Sequence, residues 1–403
     1  MNNRGVALVI SYMVIAVLSV LGSAVLTRTV SEKNICVNHS NSTRAFWVAE
    51  AGLQQGIRAF KNNDWSGWSE LNATTKSLSA TLGNSGEYSV TVSGLGSSSV
   101  VIASSGYSPG IGLAVNSART VTASYSRSML FSAAAFGKSR VTLNGNASTD
   151  SYNSGIGAYG GINRGTKGDV ITNGSTAGAI TLTGSSTVNG NADTAPAGTV
   201  LLGPASRVTG SITHTNNDSI GEVSVPSELS GATSSTAIEI AGSTNQVLPS
   251  GNYKMPKINV SGNAQLTLSG DVNIYLTDAA ALNITGSGRL VVLGNAKIYI
   301  DGSANISGAG VVNNSLLPED FMLYGTSSST SIQVSGSGVF YGGIYAPEAS
   351  ISVTGNGGVY GGVVGDAITV SGSSSIHFDE ALSGISSGGG YIFGGWREIQ
   401  SVN

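Results

Sequence analysis

The chain has 403 residues, of which only 10% are charged, and its formal net charge is −3. Such a sparse and balanced set of charges gives no basic surface for nucleic acid, so no nucleic-acid partner is expected. Glycine is abundant at 57 residues and proline is rare at 8, while aliphatic residues recur at short intervals. This composition indicates a mainly β, turn-rich protein with buried cores and excludes a disordered chain.

The N-terminal segment has no charged residue between Arg4 and Arg28. Apolar side chains surround the predicted helix on every face, so lipid or other apolar helices must cover it. A helix of this length is about 35 Å long, which is enough to cross a bilayer core of about 30 Å. The pattern predicts a membrane anchor, although a secretory signal cleaved between Ala24 and Val25 also fits the small residues there.

The residues after Arg28 remain compatible with a helix and become amphipathic. No proline interrupts residues 1–61, so one long helix is predicted, with its first half in a membrane or filament core and its second half against a folded domain. The apolar side of the second half recurs at three- and four-residue steps, and it consists of Phe46, Ala49, Leu53, Ile57 and Phe60.

The very short basic start and the apolar helix behind it resemble the N-terminal region of the PilX-type pilus assembly proteins. The opening RGVALVI is similar to the family's apolar helix. A second segment resembles the family's AF-x-x-AEAG-like motif, through Ala45, Phe46, Ala49, Glu50, Ala51 and Gly52. The resemblance implies a leader peptide of residues 1–5, cleavage between Gly5 and Val6, and a pilin-like helix of residues 6–61. It also implies other pilin-like subunits as partners, after a stage in the inner membrane.

One position departs from the pattern of major pilins. Those proteins carry a glutamate five residues into the mature chain, where its carboxylate pairs with the N-terminal amine of a neighbouring subunit. This position is Ile10 here, and an isoleucine side chain makes no such pair. The resemblance therefore implies a minor subunit instead of the bulk subunit of a filament.

Residues 62–130 predict a small α+β head that follows the helix. From Gly86 onward, apolar residues alternate with serine and threonine, which is the period of a strand with one buried face. Three such runs predict an antiparallel meander, and they contain Tyr88-Val90-Val92, Val100-Ile102 and Val121-Ala123-Tyr125.

Residues 131–382 contain a repeated unit of the form apolar-x-apolar-x-Gly, and the regular spacing of the unit suggests one occurrence in each coil of a solenoid. This pattern predicts a right-handed parallel β-helix, in which aliphatic residues stack inward and glycine turns the corners. A β-sandwich is the alternative, but its strands repeat side-chain identity less closely. Phe131–Tyr159 is expected to cap the entry and Ser374–Leu382 to close the stack. Residues 383–403 are expected to be a tail that folds back. Examples of the unit end at Gly270, Gly286, Gly302, Gly336, Gly355 and Gly372.

The sequence offers no group of residues that predicts catalysis or a cofactor. No two aspartates of the repeat form an adjacent pair, as glycoside hydrolysis requires. His377 has a carboxylate beside it only in Asp379. Metalloprotease, P-loop and EF-hand motifs are absent from the sequence. No catalytic, metal-binding or cofactor-binding residue is therefore predicted, and the protein is expected not to be an enzyme.

These observations favour a non-catalytic minor pilin or pseudopilin-like surface subunit of a type IV pilus or a related secretion assembly. Its β-helix would be displayed for adhesion or assembly, with a surface glycan or a ligand on a host or substratum as partner. The expected location is the inner membrane with an extracytoplasmic domain, and then the pilus or cell surface. Two alternatives remain open: an anchored or secreted β-helix enzyme that acts on polysaccharides, and a simple secreted adhesin.

Overall fold

The computed structural model describes residues 3–95, 99–111, 117–308, 310–336 and 338–399, with side chains described except at 3–7, 126–129 and 386–392. Residues 1–2 of the predicted leader and 400–403 of the predicted tail lie outside the described residues. The chain forms two compact units. The head unit is Met1–Arg127 with Tyr391–Asn403, and the solenoid unit is Ser128–Gly390.

A single helix, α1 (Asn3–Asn62), forms the N-terminal part of the chain, as the sequence predicts. Every residue from Leu8 to Ser40 is exposed. Hydroxyl side chains in this half bond back to the helix, as Ser19 Oγ does to the Ile15 carbonyl at 2.8 Å, which satisfies these polar groups within the helix itself. This half is long and apolar enough to cross a membrane, and the described chain packs nothing against it.

The head unit packs the second half of α1 against a six-stranded sheet. The three predicted runs lie in β3, β4 and β5, and their alternate residues are buried against the helix. The sequence did not predict β1, β2 or the C-terminal strand, because these segments lack a clear apolar alternation. The strands, in sheet order, are β1 (Ser69–Asn72), β2 (Thr75–Thr81), β3 (Glu87–Ser93), β4 (Ser99–Ser108), β5 (Ser117–Met129) and the C-terminal strand (Ser386–Ile399).

The solenoid unit is a parallel β-solenoid, as predicted, and its 24 strands form one continuous sheet. The right-handed sense stays a prediction. The strands before the middle of the unit are β6 (Ala135–Leu143), β7 (Ser148–Tyr152), β8 (Val170–Thr172), β9 (Ile180–Leu182), β10 (Thr187–Val188), β11 (Ala192–Asp193), β12 (Val200–Leu202), β13 (Arg207–Val208) and β14 (Ile212–Thr213).

A short helix, α2 (Ser227–Ser230), separates these strands from the rest. The later strands are β15 (Ile238–Ile240), β16 (Asn245–Met255), β17 (Ile258–Val260), β18 (Gln265–Leu276), β19 (Ala280–Ile284), β20 (Arg289–Val292), β21 (Ala296–Ile300), β22 (Ser303–Ile306), β23 (Gly310–Asn313), β24 (Phe321–Gly325), β25 (Ser331–Val334), β26 (Val339–Ala346), β27 (Ser350–Gly355), β28 (Gly358–Gly372) and β29 (Ser375–Asp379). Two 3-10 turns lie at Pro318–Asp320 and Glu380–Gly384.

The prediction of one apolar-x-apolar-x-Gly unit in each coil is wrong, because the unit occurs on all three faces of the solenoid. Leu266, Leu282 and Ile298 are evenly spaced in the sequence but lie on three different faces, instead of stacking on each other. Their partners in the next coil are Leu290, Ala304 and Leu323. The spacing from coil to coil also varies along one face, as the successive partners Leu282, Ala304, Ile332 and Ile351 show.

The coils do not stack in the order in which they follow along the chain. The strand β6 pairs on one side with β8 and β9 and on the other side with β28, while β7 pairs with β29. We call this contact of the first coil with the last coil the seam. One inward-facing column, in stacking order, contains Ile238, Ile258, Leu282, Ala304, Ile332, Ile351, Ile368, Val141, Ile180 and Val200.

The predicted caps are therefore wrong. Both Phe131–Tyr159 and Ser374–Leu382 contribute strands to the seam, which lies inside the stack. The stack ends instead at β12–β14 on one side and at β15–β16 on the other. At the first end Leu201 is 53% exposed. The sequence pattern did not reveal this order, because parallel coils bury the same kinds of side chain in whatever order they stack.

The two ends of the stack are joined by residues 214–235, which we call the crossover. Asn216 starts it with a hydrogen bond from Nδ2 to the Thr172 carbonyl. Farther along, the Tyr345 hydroxyl donates to the Gly221 carbonyl at 2.7 Å. Leu229 of α2 is almost fully buried where the crossover reaches the other end. The crossover thus returns the chain along the outside of the solenoid, so that the later coils can be added toward the first coil.

Glycine forms the corner at the seam and allows the coils to approach closely. Gly145 and Gly372 both have positive φ, at 74° and 79°. A Cβ on Gly145 would lie 2.8 Å from the Gly372 carbonyl oxygen, a distance that real Cβ atoms do not show. The backbone of Asn146 donates to the same carbonyl at 2.7 Å. The seam is therefore bonded through the backbone like any other contact between coils.

The direction of the side chains in β19 can be tested with two adjacent substitutions. Ile284 is fully buried, so Ile284→Asp places a carboxylate in the aliphatic core and should lower the free energy of unfolding by about 4 kcal/mol or more. Asn283 faces outward and its Nδ2 donates to Asn259 Oδ1 at 2.9 Å, so Asn283→Asp should cost only about 1 kcal/mol. Thermal and urea unfolding of both variants checks this, and a larger loss for Asn283→Asp would contradict the register.

Candidate functional site

The motif of α1 that resembles the PilX-type proteins is a closely packed contact between helix and sheet. Ala45 and Ala49 are fully buried and lie over Gly106 of β4. A Cβ on Gly106 would overlap the carbonyl of Ala45 and the backbone of Ala49. Small side chains on the helix and a glycine on the strand therefore allow the two backbones to touch.

Gly52 continues this contact by one more helical turn. A Cβ there would lie 2.7 Å from the ring of Tyr88. Leu53 beside it is fully buried in the core of the head unit. Ala51 is only half-buried. The small residues of the motif thus have a physical role, which is to bring the helix close to the sheet.

The remaining motif residues hold the C-terminal strand. The indole Nε1 of Trp396 donates to Glu50 Oε1 at 2.7 Å, and the rings of Phe46 and Trp396 pack edge to face with centroids 6.3 Å apart. Arg119 of β5 adds a second link, since its Nη1 donates to Glu398 Oε1 at 2.9 Å. The acidic residue of the motif therefore fixes a strand that comes from a very distant part of the sequence.

The processing residues and the motif lie on the same helix but far apart. The backbone of Gly5 and Val6 belongs to α1. At about 1.5 Å per residue, Val6 and Ala45 are separated by about 60 Å of helix. The structure therefore brings the motif residues together with the sheet, while the predicted cleavage point lies at the other end of an exposed helix.

A polar cluster at the seam is the second candidate site, and the sequence prediction of its members is partly wrong. The partner of His377 is Asp150, not Asp379. Asp150 is 1% exposed, and its carboxylate lies 2.5 Å from His377 Nδ1 and accepts from the Tyr159 hydroxyl at 2.6 Å and from Arg164 Nε at 2.8 Å. Asp379 instead accepts hydrogen bonds from the backbone of the two turns beside it.

The electrostatics of the cluster favour an ionised Asp150. Burial alone would raise the pKa of the Asp150 carboxyl, but the hydrogen bonds from His377 and Tyr159, together with the charge of Arg164, hold that pKa below its ordinary value. Burial and the hydrogen bond to Asp150 raise the pKa of the Tyr159 phenol. A buried carboxylate is thus stabilised by three donors from two distant parts of the chain.

The cluster has a structural role at the seam, because the ring of His377 is covered by other side chains. It packs against the rings of Tyr159 and Tyr360, with centroid distances of 4.0 and 4.6 Å, and the His377 side chain is only 12% exposed. Tyr341 stacks on Tyr360 at 4.4 Å and continues the aromatic column into the next coil. Sequence reasoning missed Asp150, Tyr159 and Arg164, since Asp150 and His377 lie far apart in the sequence and no local pattern relates them.

No metal site accompanies these residues. Within the part of the chain that the structure describes, no three His, Cys, Asp or Glu side chains lie close enough together to hold a metal ion.

The contact between helix and sheet predicts that Gly106→Ala destabilises the head unit. The added Cβ would force the backbone of Ala45 and Ala49 away from the strand. This should lower the free energy of unfolding of the head unit by about 2–4 kcal/mol. Gly22→Ala is the control, because nothing lies within 4 Å of a Cβ there and alanine favours a helix. Thermal unfolding of the full chain in detergent measures both changes. Equal stability of the two variants would contradict the close contact.

The seam predicts a dependence on pH at its polar cluster. The pKa of Asp150 is lowered in the folded state, so the ionised carboxylate stabilises the fold. This contribution to the free energy of unfolding is complete above the unfolded pKa of about 3.9 and is lost as the pH falls below that value. Asp150→Asn should remove about 3 kcal/mol at neutral pH and flatten the acid part of the stability curve. The exposed Asp278→Asn is the control. Unfolding curves from about pH 3 to 7 that coincide for Asp150→Asn and the unmodified protein would refute the role of Asp150.

Comparison with solved structures finds distant similarities, among them the following two. One is to the crystal structure of the competence-associated pilin ComZ from Thermus thermophilus, with 12% identity, 89% of this chain and 97% of that chain covered, and a TM-score of 0.29. The other is to the ice-binding protein of the Antarctic ascomycete Antarctomyces psychrotrophicus, with 14% identity, 63% and 97% covered, and a TM-score of 0.27. At these TM-scores the fold described above rests on the strand pairing of this chain alone.

Comparison of the sequence finds matches to two family models. No curated protein sequence matches the chain. Residues 205–385, which contain the crossover and all later coils, match a model described as a domain of unknown function (DUF7305). Residues 4–54 match the model described as PilX N-terminal, and they include both the exposed half of α1 and the packing motif. The chain therefore carries a PilX-type N-terminal region joined to a β-solenoid.

Proposed function

We propose that this protein is a non-catalytic, minor pilin-like subunit that displays a β-solenoid at the cell surface. The observation that carries the proposal is the division of α1 into two halves. One half is exposed from Leu8 to Ser40, and the other packs on the head sheet through the motif that begins at Ala45. Such a helix anchors a folded head while leaving its apolar half to be covered by something else.

The exposed half fits first a membrane and then a bundle of similar helices. Its apolar side chains face all directions, so water is an unfavourable environment for every side. A bilayer core of about 30 Å covers roughly 20 residues of it. In a filament, the apolar helices of other pilin-like subunits supply the same cover. Trp47, which is 64% exposed, extends this apolar surface to the level of the head unit.

A minor subunit agrees with Ile10 better than a bulk subunit does. Ile10 is 55% exposed on the uncovered half, at the position where major pilins carry a glutamate. Without that carboxylate the helix lacks a partner for the N-terminal amine of a neighbour. The geometry of the His377 cluster supports a non-catalytic role, because the imidazole side chain is only 12% exposed and packs against two tyrosine rings.

N-terminal sequencing of the mature protein tests the proposal most directly. The protein from its native host should begin at Val6. In a matched pair of variants, Gly5→Leu should retain the leader, because it alters the residue before the cut, while Gly22→Leu should be processed like the unmodified protein. A mature start at Val25 would show secretory cleavage, which removes the apolar helix and overturns the proposal.

A further inference from the structure

A cleft on the outside of the solenoid has the features of a ligand site. Its volume is about 830 Å³, within the range of about 300–1,000 Å³ that ligand pockets span. One wall is the crossover at Glu222–Ser224, and the floor is formed by outward-facing residues of four successive coils. At about 4.8 Å per coil the floor is about 14 Å long. This length suits an oligomeric ligand better than a single small molecule.

Two tyrosines present hydroxyl groups to this cleft that the protein itself does not use. Tyr299 and Tyr324 stack in register, with ring centroids 4.8 Å apart and an angle of 15° between the planes. Tyr299 is only 9% exposed, yet neither hydroxyl has a hydrogen-bond partner among the described residues. By contrast, Tyr275 in the same column donates to Asp301 Oδ2 at 2.6 Å. A hydroxyl that has no partner in the protein, on a side chain as buried as Tyr299, is available to a ligand in the cleft.

The charged groups of the cleft are mostly acidic and form no ion pair within the described chain. Asp271 and Glu319 are exposed, and Glu222 faces them from the crossover. Asp320 adds a fourth carboxylate, while Lys297 is the cation on the same lining. Four carboxylates against one ammonium favour a ligand with positive charge and disfavour an anionic polymer.

The floor of the cleft offers side chains and no strand edge. The strands β21 and β24 are each paired with a neighbouring coil on both sides, so a peptide cannot be added to them as a further strand. The polar groups of the cleft are hydroxyls, carboxylates, one ammonium and the amides of Asn273 and Asn295. Each amide nitrogen already makes one hydrogen bond within the protein and keeps a second N–H for a ligand. A mixture of side-chain donors and acceptors over this length matches a chain of polyhydroxylated units.

We propose that the cleft binds a glycan whose sugars carry protonated amino groups. Its hydroxyl groups accept from the phenols of Tyr299 and Tyr324 and exchange hydrogen bonds with the two asparagines. Its ammonium groups pair with Asp271, Glu319 and the crossover carboxylate. This inference goes beyond the proposed function and does not depend on it, because every residue involved belongs to the solenoid unit.

Calorimetric titration of the full chain with three oligosaccharides of equal length tests the proposal. The titration is done in a neutral detergent and at a pH that keeps amines protonated. A glucosamine oligomer should bind. The N-acetylglucosamine oligomer is neutral and loses the charged hydrogen bonds, so its affinity should be lower by a factor of about ten or more. A galacturonic acid oligomer should not bind measurably. Equal binding of the glucosamine and N-acetylglucosamine oligomers would overturn the proposal, as would no binding of the glucosamine oligomer.

A matched pair of double variants separates the cleft from the general charge of the protein. Asp271→Asn with Glu319→Gln should weaken binding of the glucosamine oligomer by about tenfold or more. Asp278→Asn with Glu228→Gln removes the same charge from exposed positions outside the cleft and should leave the affinity unchanged. An equal loss in both double variants would refute the site. A lysine-rich peptide that binds the cleft as tightly as the glucosamine oligomer would also refute a glycan ligand.

Discussion

The contact on which the solenoid depends is the stacking of its last coil on its first. Ile368 lies on Val141, Gly372 on Gly145 and His377 on Asp150. Through these pairs the coils before the crossover and the coils after it share one hydrophobic core. No open sheet edge is left between the two groups of coils. Because the paired residues come from opposite ends of the unit's sequence, the core is complete only when the final coil is in place. Folding of this unit therefore depends on contacts of very high sequence separation.

The polar cluster gives this contact a register that the aliphatic columns cannot specify alone. Ile351 stacks on Ile368 in much the same way as Ile368 stacks on Val141, so a slip by one coil would still bury apolar side chains. It would, however, move Asp150 away from His377 and leave a buried carboxylate without one of its donors, which is costly. We interpret the cluster as the feature that selects one arrangement among several of similar hydrophobic energy.

The sequence could predict features that depend on residues close together along the chain, and it could not predict those that depend on distant residues. The two-residue period showed that Ile284 faces inward and Asn283 outward, because alternation is a local property of a strand. The prediction of one unit in each coil was wrong, since the same unit recurs on different faces. The motif around Glu50 was recognisable from the sequence, but its reason was not, because Gly106 and Trp396 lie far along the chain. Coil order has no local signal at all, since every coil buries similar residues.

The unusual order of the coils has a physical explanation in the way the two units are connected. The strand β5 and the C-terminal strand are neighbours in the head sheet, and the solenoid is the segment of chain between them. A domain inserted in this way needs its two ends close together. A solenoid that stacked all its coils in sequence order would place its ends roughly 40 Å apart. Placing the first coil against the last coil brings them together, and Leu130 N donates to the Ile385 carbonyl at 3.0 Å where the solenoid's two ends meet. The seam is thus the arrangement that allows a long solenoid to be carried between two adjacent strands.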